Sequence, residues 1–142
     1  MGLRNIAAAS LGPFPKLSPE FVVRARPDIV IGDARLTLAK EQNDSFDLVI
    51  VDAFTSDAVP VHLMTKEALE IYRDKISDIG VAVLHIFNRY LDLERVLAAT
   101  VKQVPGLKGL VVSDDDADGT YASTTSTVVV IAKSEAPLEP FL

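Results

Sequence analysis

Apolar residues in this chain fall into two kinds of pattern, and the two alternate. Short continuous runs bounded by turn residues predict strands, and recurrences at three and four residues predict helices. The first run is Asp28-Ile29-Val30-Ile31-Gly32, and the second is Phe46-Asp47-Leu48-Val49-Ile50-Val51-Asp52. The second is apolar on both faces, as strands inside a covered parallel sheet are. Between them, Ala34 to Gln42 suits a helix, with Leu36, Leu38 and Ala39 available for packing. Thr65 is a good N-cap for a helix to Ile76 that places Ala68, Leu69, Tyr72 and Ile76 on one face. Ile79 to Phe87 contains the next buried strand. Asp92 caps a further helix whose stripe is Leu93, Val96, Leu97, Thr100, Val101 and Val104, stopped by Pro105-Gly106. Leu107 to Val112 and Thr127 to Lys133 are two more strands, joined by an acidic loop from Asp114 to Ser126.

The predicted order is β-α-β-α-β-α-β-β. Alternation of this kind means a parallel sheet with crossover helices. The last two strands have no helix between them, which predicts an antiparallel strand at the carboxyl end. Ahead of this regular part, Pro13, Pro15 and Pro19 predict an irregular lead-in over residues 1–26, with a short helix that Ser18-Pro19-Glu20 could cap. The domain is expected over 27–133, and 134–142 is a tail.

Composition narrows the function classes. With 142 residues, 49% of them hydrophobic, one well-buried domain is expected. Cysteine is absent, so disulfides, thiolate nucleophiles and Cys-based zinc sites are excluded and a cytoplasmic location is the default. The net charge of −6 argues against nucleic acid and suits a small cationic amine. No apolar run reaches the length of a membrane span.

In open α/β sheets, ligands sit beyond the carboxyl ends of the strands. Three polar clusters fall there: Gly32-Asp33, then Asp52 to Asp57, then His85 to Tyr90. His62 and His85 each stand alone in sequence, and no metal is expected. His85 lies in a buried strand and reads more readily as a neutral, hydrogen-bonded core histidine than as a ligand. Asp114-Asp115-Asp116-Ala117-Asp118-Gly119 matches half of a calcium-loop pattern, but Thr125 stands where a bidentate Glu is needed, and a solvated acidic turn is the better reading.

The segment Val30-Ile31-Gly32-Asp33-Ala34, followed by Phe46 to Asp52, a proline-containing loop and Leu63, resembles the central part of spermidine synthases. The fuller fit, through Asp52 to Leu63 and His85 to Leu91, is to spermidine synthase-like proteins. The resemblance covers roughly residues 27–133. It implies a doubly wound, Rossmann-like methyltransferase sheet, present here as its carboxyl half. It also implies group transfer, aminopropyl or methyl, from S-adenosylmethionine or its decarboxylated form. By the resemblance, Asp33 accepts a hydrogen bond from the adenine amine, beside Ala34, and Asp52 is the catalytic carboxylate that orients the attacking amine and takes its proton. Asp57 and His85 then fall in the substrate region.

The chain departs from the family pattern twice. The family's second aspartate lies three residues after the catalytic one, whereas Asp57 lies five after Asp52. The glycine-rich cofactor loop has no counterpart ahead of Asp33, so the chain is expected to begin near the third family strand. In the family order 3-2-1-4-5-7-6, this leaves Asp28–Gly32 to pair with Phe46–Asp52, with another chain, or with nothing. An uncovered edge predicts a homo-oligomer, or a partner chain that supplies the missing half. A non-catalytic, homo-oligomerising interaction module is therefore the alternative to a transferase, and a calcium-binding domain is the third reading.

Overall fold

A computed structural model of the chain describes residues 6–10, 30, 32–52, 60–86, 92–114 and 126–142. Among them are five strands: β1 (Ile6–Ser10), β2 (Phe46–Asp52), β3 (Ile76–Ile86), β4 (Lys108–Asp114) and β5 (Ser126–Ala132). Three α-helices connect them: α1 (Ala34–Leu38), α2 (Lys66–Lys75) and α3 (Leu93–Val101). Short 3-10 turns occupy Val61–Leu63 and Ala136–Phe141.

The strands form one sheet in the order β1-β2-β3-β5-β4. β1, β2 and β3 pair in parallel, and β5 runs antiparallel to both β3 and β4. The fold is therefore α/β, with β5 as the one reversed strand among those described. β2-β3-β5-β4 matches the 4-5-7-6 part of the methyltransferase order.

Each helix starts where a side chain caps it. Thr65 accepts from the Ala68 N–H at 3.3 Å, and Asp92 from the Arg95 N–H at 3.2 Å. α2 buries Ala68, Leu69 and Tyr72, and Ile76 continues the buried face into β3. α3 buries Leu93, Leu97 and Val101. Val96, expected on the same stripe, is exposed, because the buried positions of α3 recur every four residues and leave it to one side. Pro105-Gly106 ends this segment, with Gly106 at φ 72°, where glycine has no steric cost.

These helices cover one face of the sheet. Val49 and Val51 of β2, Ala82, Leu84 and Ile86 of β3, and Val129 and Ile131 of β5 pack against Leu69, Tyr72 and Leu97. Each fully buried large side chain contributes about 1.5–3 kcal/mol. On the other face, Val130 and Ala132 pack against Leu138, with Val81, Val83, Val112 and Val128 partly buried around them. The tail at 134–142 thus places one apolar side chain on the sheet.

Three expectations change. The lead-in is not irregular throughout: Ile6–Ser10 is a strand, paired from Ile6 opposite Leu48 to Ser10 opposite Asp52. Its Ala-Ala-Ala centre has little strand preference, so pairing with the apolar edge of β2 decides its form. β1 occupies the edge of β2, one of the places left to Asp28–Gly32, where the family order has strand 1. Of the proposed strand Asp28–Gly32, Val30 and Gly32 belong to no strand, and residues 28, 29 and 31 lie outside the described residues. Finally, α1 ends at Leu38 instead of reaching Gln42. There the chain turns toward β2 through Asp44, whose φ of 57° a short polar side chain tolerates. Lys75, buried at the end of α2, holds that turn by donating to the Glu41 carbonyl at 2.6 Å and to Asn43 Oδ1 at 2.7 Å.

Candidate active site

The site residues begin with the alternation of β2 and β3. Val49 and Val51 are buried under the helices, so Asp52 turns to the opposite face. Ala82, Leu84 and Ile86 are likewise buried, which sends His85 to that same opposite face. The parallel register sets Val51 beside Leu84, and the next residues along are Asp52 and His85. Their side chains meet: His85 Nδ1 lies 3.0 Å from Asp52 Oδ1. With its proton on Nδ1, the imidazole donates to the carboxylate. The two side chains retain 32% and 49% exposure, so solvent and solutes reach the pair.

A second carboxylate–imidazole pair stands nearby in the topology. Asp33 caps α1, and its Oδ1 accepts from the Leu36 N–H at 3.1 Å. Its Oδ2 faces His62 Nε2 at 3.8 Å, with side-chain exposures of 36% for Asp33 and 50% for His62. The Leu36 N–H is the main reason that the Asp33 carboxyl sits below its ordinary range. Desolvation opposes this, while the Arg35 N–H and the charges of His62 and Arg35 add to it.

His62 is positioned from beneath. It lies in the 3-10 turn Val61–Leu63, and the buried Tyr72 hydroxyl donates to the Leu63 carbonyl at 2.9 Å. Burial pushes the Tyr72 phenol well above its ordinary value. α1 and α2 pack on each other, and their far ends meet through the Asp44 N–H to Asp74 carbonyl bond and the Lys75 contacts. Their starts, at Asp33 and Thr65, therefore lie together at the carboxyl edge of the sheet.

Of the residues singled out from sequence, Asp33, Ala34, Asp52 and His85 are thus described. Ala34, the first residue of α1, is half-buried against the helical core. Asp57 and residues 87–91 lie outside the described residues, as do residues 115–125 of the acidic loop. His85 is not a core histidine: it is half-exposed at the end of its strand and bonded to Asp52. His62 was not singled out as a partner of Asp33. Its place in the loop between Asp52 and Thr65 was the available signal. Among the described residues, no group of three or more histidines and carboxylates is placed to hold a metal, and no helix is long and apolar enough to cross a membrane.

No protein-family model matches the chain. A polyamine aminopropyltransferase from Vibrio vulnificus is 34% identical over 59 residues, which are 40% of this chain and 20% of that protein. The spermidine synthase of Thermotoga maritima superposes with a TM-score of 0.57 at 19% identity, over 87% of this chain and 42% of that one. This chain has the fold of the spermidine synthases. A spermidine synthase solved in complex with the transition state analogue AdoDATO gives a TM-score of 0.59 at 19% identity, over 87% of this chain and 43% of that one. A probable spermidine synthase from Corynebacterium glutamicum gives 0.54 at 18%, over 78% and 42%. These structural likenesses show the fold. The chain spans less than half the length of these solved structures, and 20% of the curated relative.

Proposed function

We propose that this chain contributes the acceptor side and the adenine side of an aminopropyl-transfer site, using decarboxylated S-adenosylmethionine as co-substrate. The observation that carries the reading is the Asp52–His85 hydrogen bond at the carboxyl ends of adjacent parallel strands, on the face of the sheet opposite α2 and α3. The sulfonium co-substrate supplies an aminopropyl carbon activated by its positive sulfur. The exposed Asp52 carboxylate attracts the cationic amine and takes one of its protons, and a hydrogen bond from the neutral amine to Asp52 points the freed nitrogen lone pair toward that carbon. As the nitrogen–carbon bond forms, the carbon–sulfur bond breaks and its electron pair stays on sulfur, leaving methylthioadenosine. The product nitrogen leaves as a secondary ammonium, and Asp52 returns its proton to solvent. His85 holds the Asp52 carboxylate in one orientation, so the acceptor is aligned before the reaction. Asp33 suits the adenine end, because a carboxylate accepts what an exocyclic amine donates.

Isothermal titration tests the reading. The chain is expected to bind methylthioadenosine, and Asp52→Asn to retain that binding while losing transfer to a polyamine acceptor. Absence of heat with methylthioadenosine and with both forms of S-adenosylmethionine overturns it.

A second reading has its own observation. β1 is the terminal strand of the sheet, paired on one side only among the described residues. A homo-oligomer, or a partner chain carrying the glycine loop, would seal that edge. Light scattering at micromolar concentration that returns a monomer removes the homo-oligomer.

A further inference from the structure

Asp33 and His62 approach each other without bonding to each other. Their 3.8 Å separation exceeds hydrogen-bond length, although an acceptor faces a donor. The helix-start amide is already taken, since the Leu36 N–H is spent on Asp33 Oδ1. What stands there is therefore a carboxylate oxygen beside an imidazole nitrogen, both half-exposed. The spacing is held on both sides. The cap fixes Asp33, and the buried Tyr72 hydroxyl fixes the turn that carries His62.

An acceptor beside a donor is the complement of a donor beside an acceptor. Adenine carries that arrangement: its exocyclic amine donates, and an adjacent ring nitrogen accepts. Hypoxanthine does not, because an oxygen replaces the amine and meets Asp33 with like polarity. The neighbouring carboxylate favours the imidazole tautomer that bears its proton on Nε2, the nitrogen nearest Asp33.

We infer that His62 is a specificity residue for the nucleobase, donating to a ring nitrogen of a 6-aminopurine while Asp33 accepts from its amine. This rests on the adenosyl site proposed above. It assigns to His62 a role that the resemblance does not supply.

The test is isothermal titration of the whole chain and two variants, His62→Ala and His62→Gln, with methylthioadenosine, methylthioinosine and the 1-deaza and 7-deaza forms of methylthioadenosine. Loss of one hydrogen bond is expected to weaken methylthioadenosine about tenfold in His62→Ala. His62→Gln, which keeps an N–H donor, recovers most of that loss. One of the two deaza ligands binds the unmodified chain about tenfold more weakly, yet binds His62→Ala no worse than the parent ligand does. That non-additivity marks a direct contact. Methylthioinosine binds more weakly than methylthioadenosine. Because His62 is exposed, both variants should keep the thermal midpoint of the unmodified chain.

The failures are separable. If the unmodified chain binds none of the four ligands, the adenosyl site itself is wrong and His62 falls with it. If it binds methylthioadenosine and His62→Ala binds it equally well, only the role of His62 is overturned. If neither nitrogen deletion interacts with His62→Ala, His62 makes no contact with the base and the inference is likewise overturned.

Discussion

The two carboxylate–imidazole pairs are built differently. Asp52 and His85 stand on adjacent parallel strands, and the ladder that sets Val51 beside Leu84 also sets their distance. Asp33 and His62 stand on a helix cap and a 3-10 turn, and their spacing depends on one amide and one buried hydroxyl. The first pair closes to 3.0 Å and bonds to itself, while the second stays at 3.8 Å with both side chains half-exposed. A strand pair thus suits a group that must be aligned for reaction. A pair on turns suits groups that must meet a ligand.

The sharpest break in this contrast is on the strand pair. Asp52→Asn should slow the proposed aminopropyl transfer by about a hundredfold or more, the scale of a lost general base, measured as methylthioadenosine release. Its thermal midpoint should hardly change, since the carboxylate is exposed. An equal loss in Asp33→Asn would erase the distinction between the pairs.

The next effect attacks the ladder under that pair. β2 and β3 shift register between Phe46 and Leu48, and a Cβ on Gly80 would lie 2.7 Å from the Phe46 carbonyl oxygen and 2.9 Å from the Ser77 nitrogen. Backbone cannot yield as a side-chain tip can. Gly80→Ala should cost about 1–3 kcal/mol in urea unfolding. A neutral result would mean that the register tolerates displacement and that Asp52 and His85 are not held by it.

Tyr72→Phe tests the turn pair. It leaves the Leu63 carbonyl without its buried donor, at a cost of about 1–2 kcal/mol. The His62 ring signals should move in NMR, and those of His85 should stay. The pH dependence has a definite sign. In the unfolded chain a tyrosine ionises near pH 10, at about its ordinary value. In the fold, burial raises the phenol above that value. Stability is therefore full below about pH 10 and falls as the pH rises beyond it, and Tyr72→Phe should lack this contribution to the alkaline loss.

The smallest effect concerns Asp33. Its carboxyl is lowered in the fold, so its contribution is present above the ordinary carboxylate range and is lost as the pH falls through the folded value. Asparagine also caps helices well, so Asp33→Asn should differ little from the unmodified chain at neutral pH. Any difference in thermal midpoint that comes from the charge should shrink as the pH falls below the ordinary carboxylate range.

Much of the architecture was legible. Phe46–Asp52 was bounded correctly because polar residues end an apolar run there. Thr65 and Asp92 announced their helices because a side-chain oxygen before an apolar stripe satisfies amides that nothing else reaches. The reversed carboxyl-terminal strand followed from the absence of a crossover helix between the last two runs. α1 was overextended, because helix preference continues through Lys40 and Glu41 while the turn at Asp44 and the Lys75 tie end the helix sooner. Ile6–Ser10 was missed, because three alanines carry no strand signal of their own.

Local pattern by itself determined α2, α3 and β2, the carboxyl end of β3 and the polar ends of the strands, since caps and alternation act between near neighbours. It did not determine that each histidine has an aspartate. Those pairings join residues far apart in sequence, and only the parallel register and the packing of α1 on α2 bring them together. Nor did it determine that β1 lies on the edge of β2, because backbone pairing across a sheet depends on the strand already in place and hardly on the side chains of the strand that joins it.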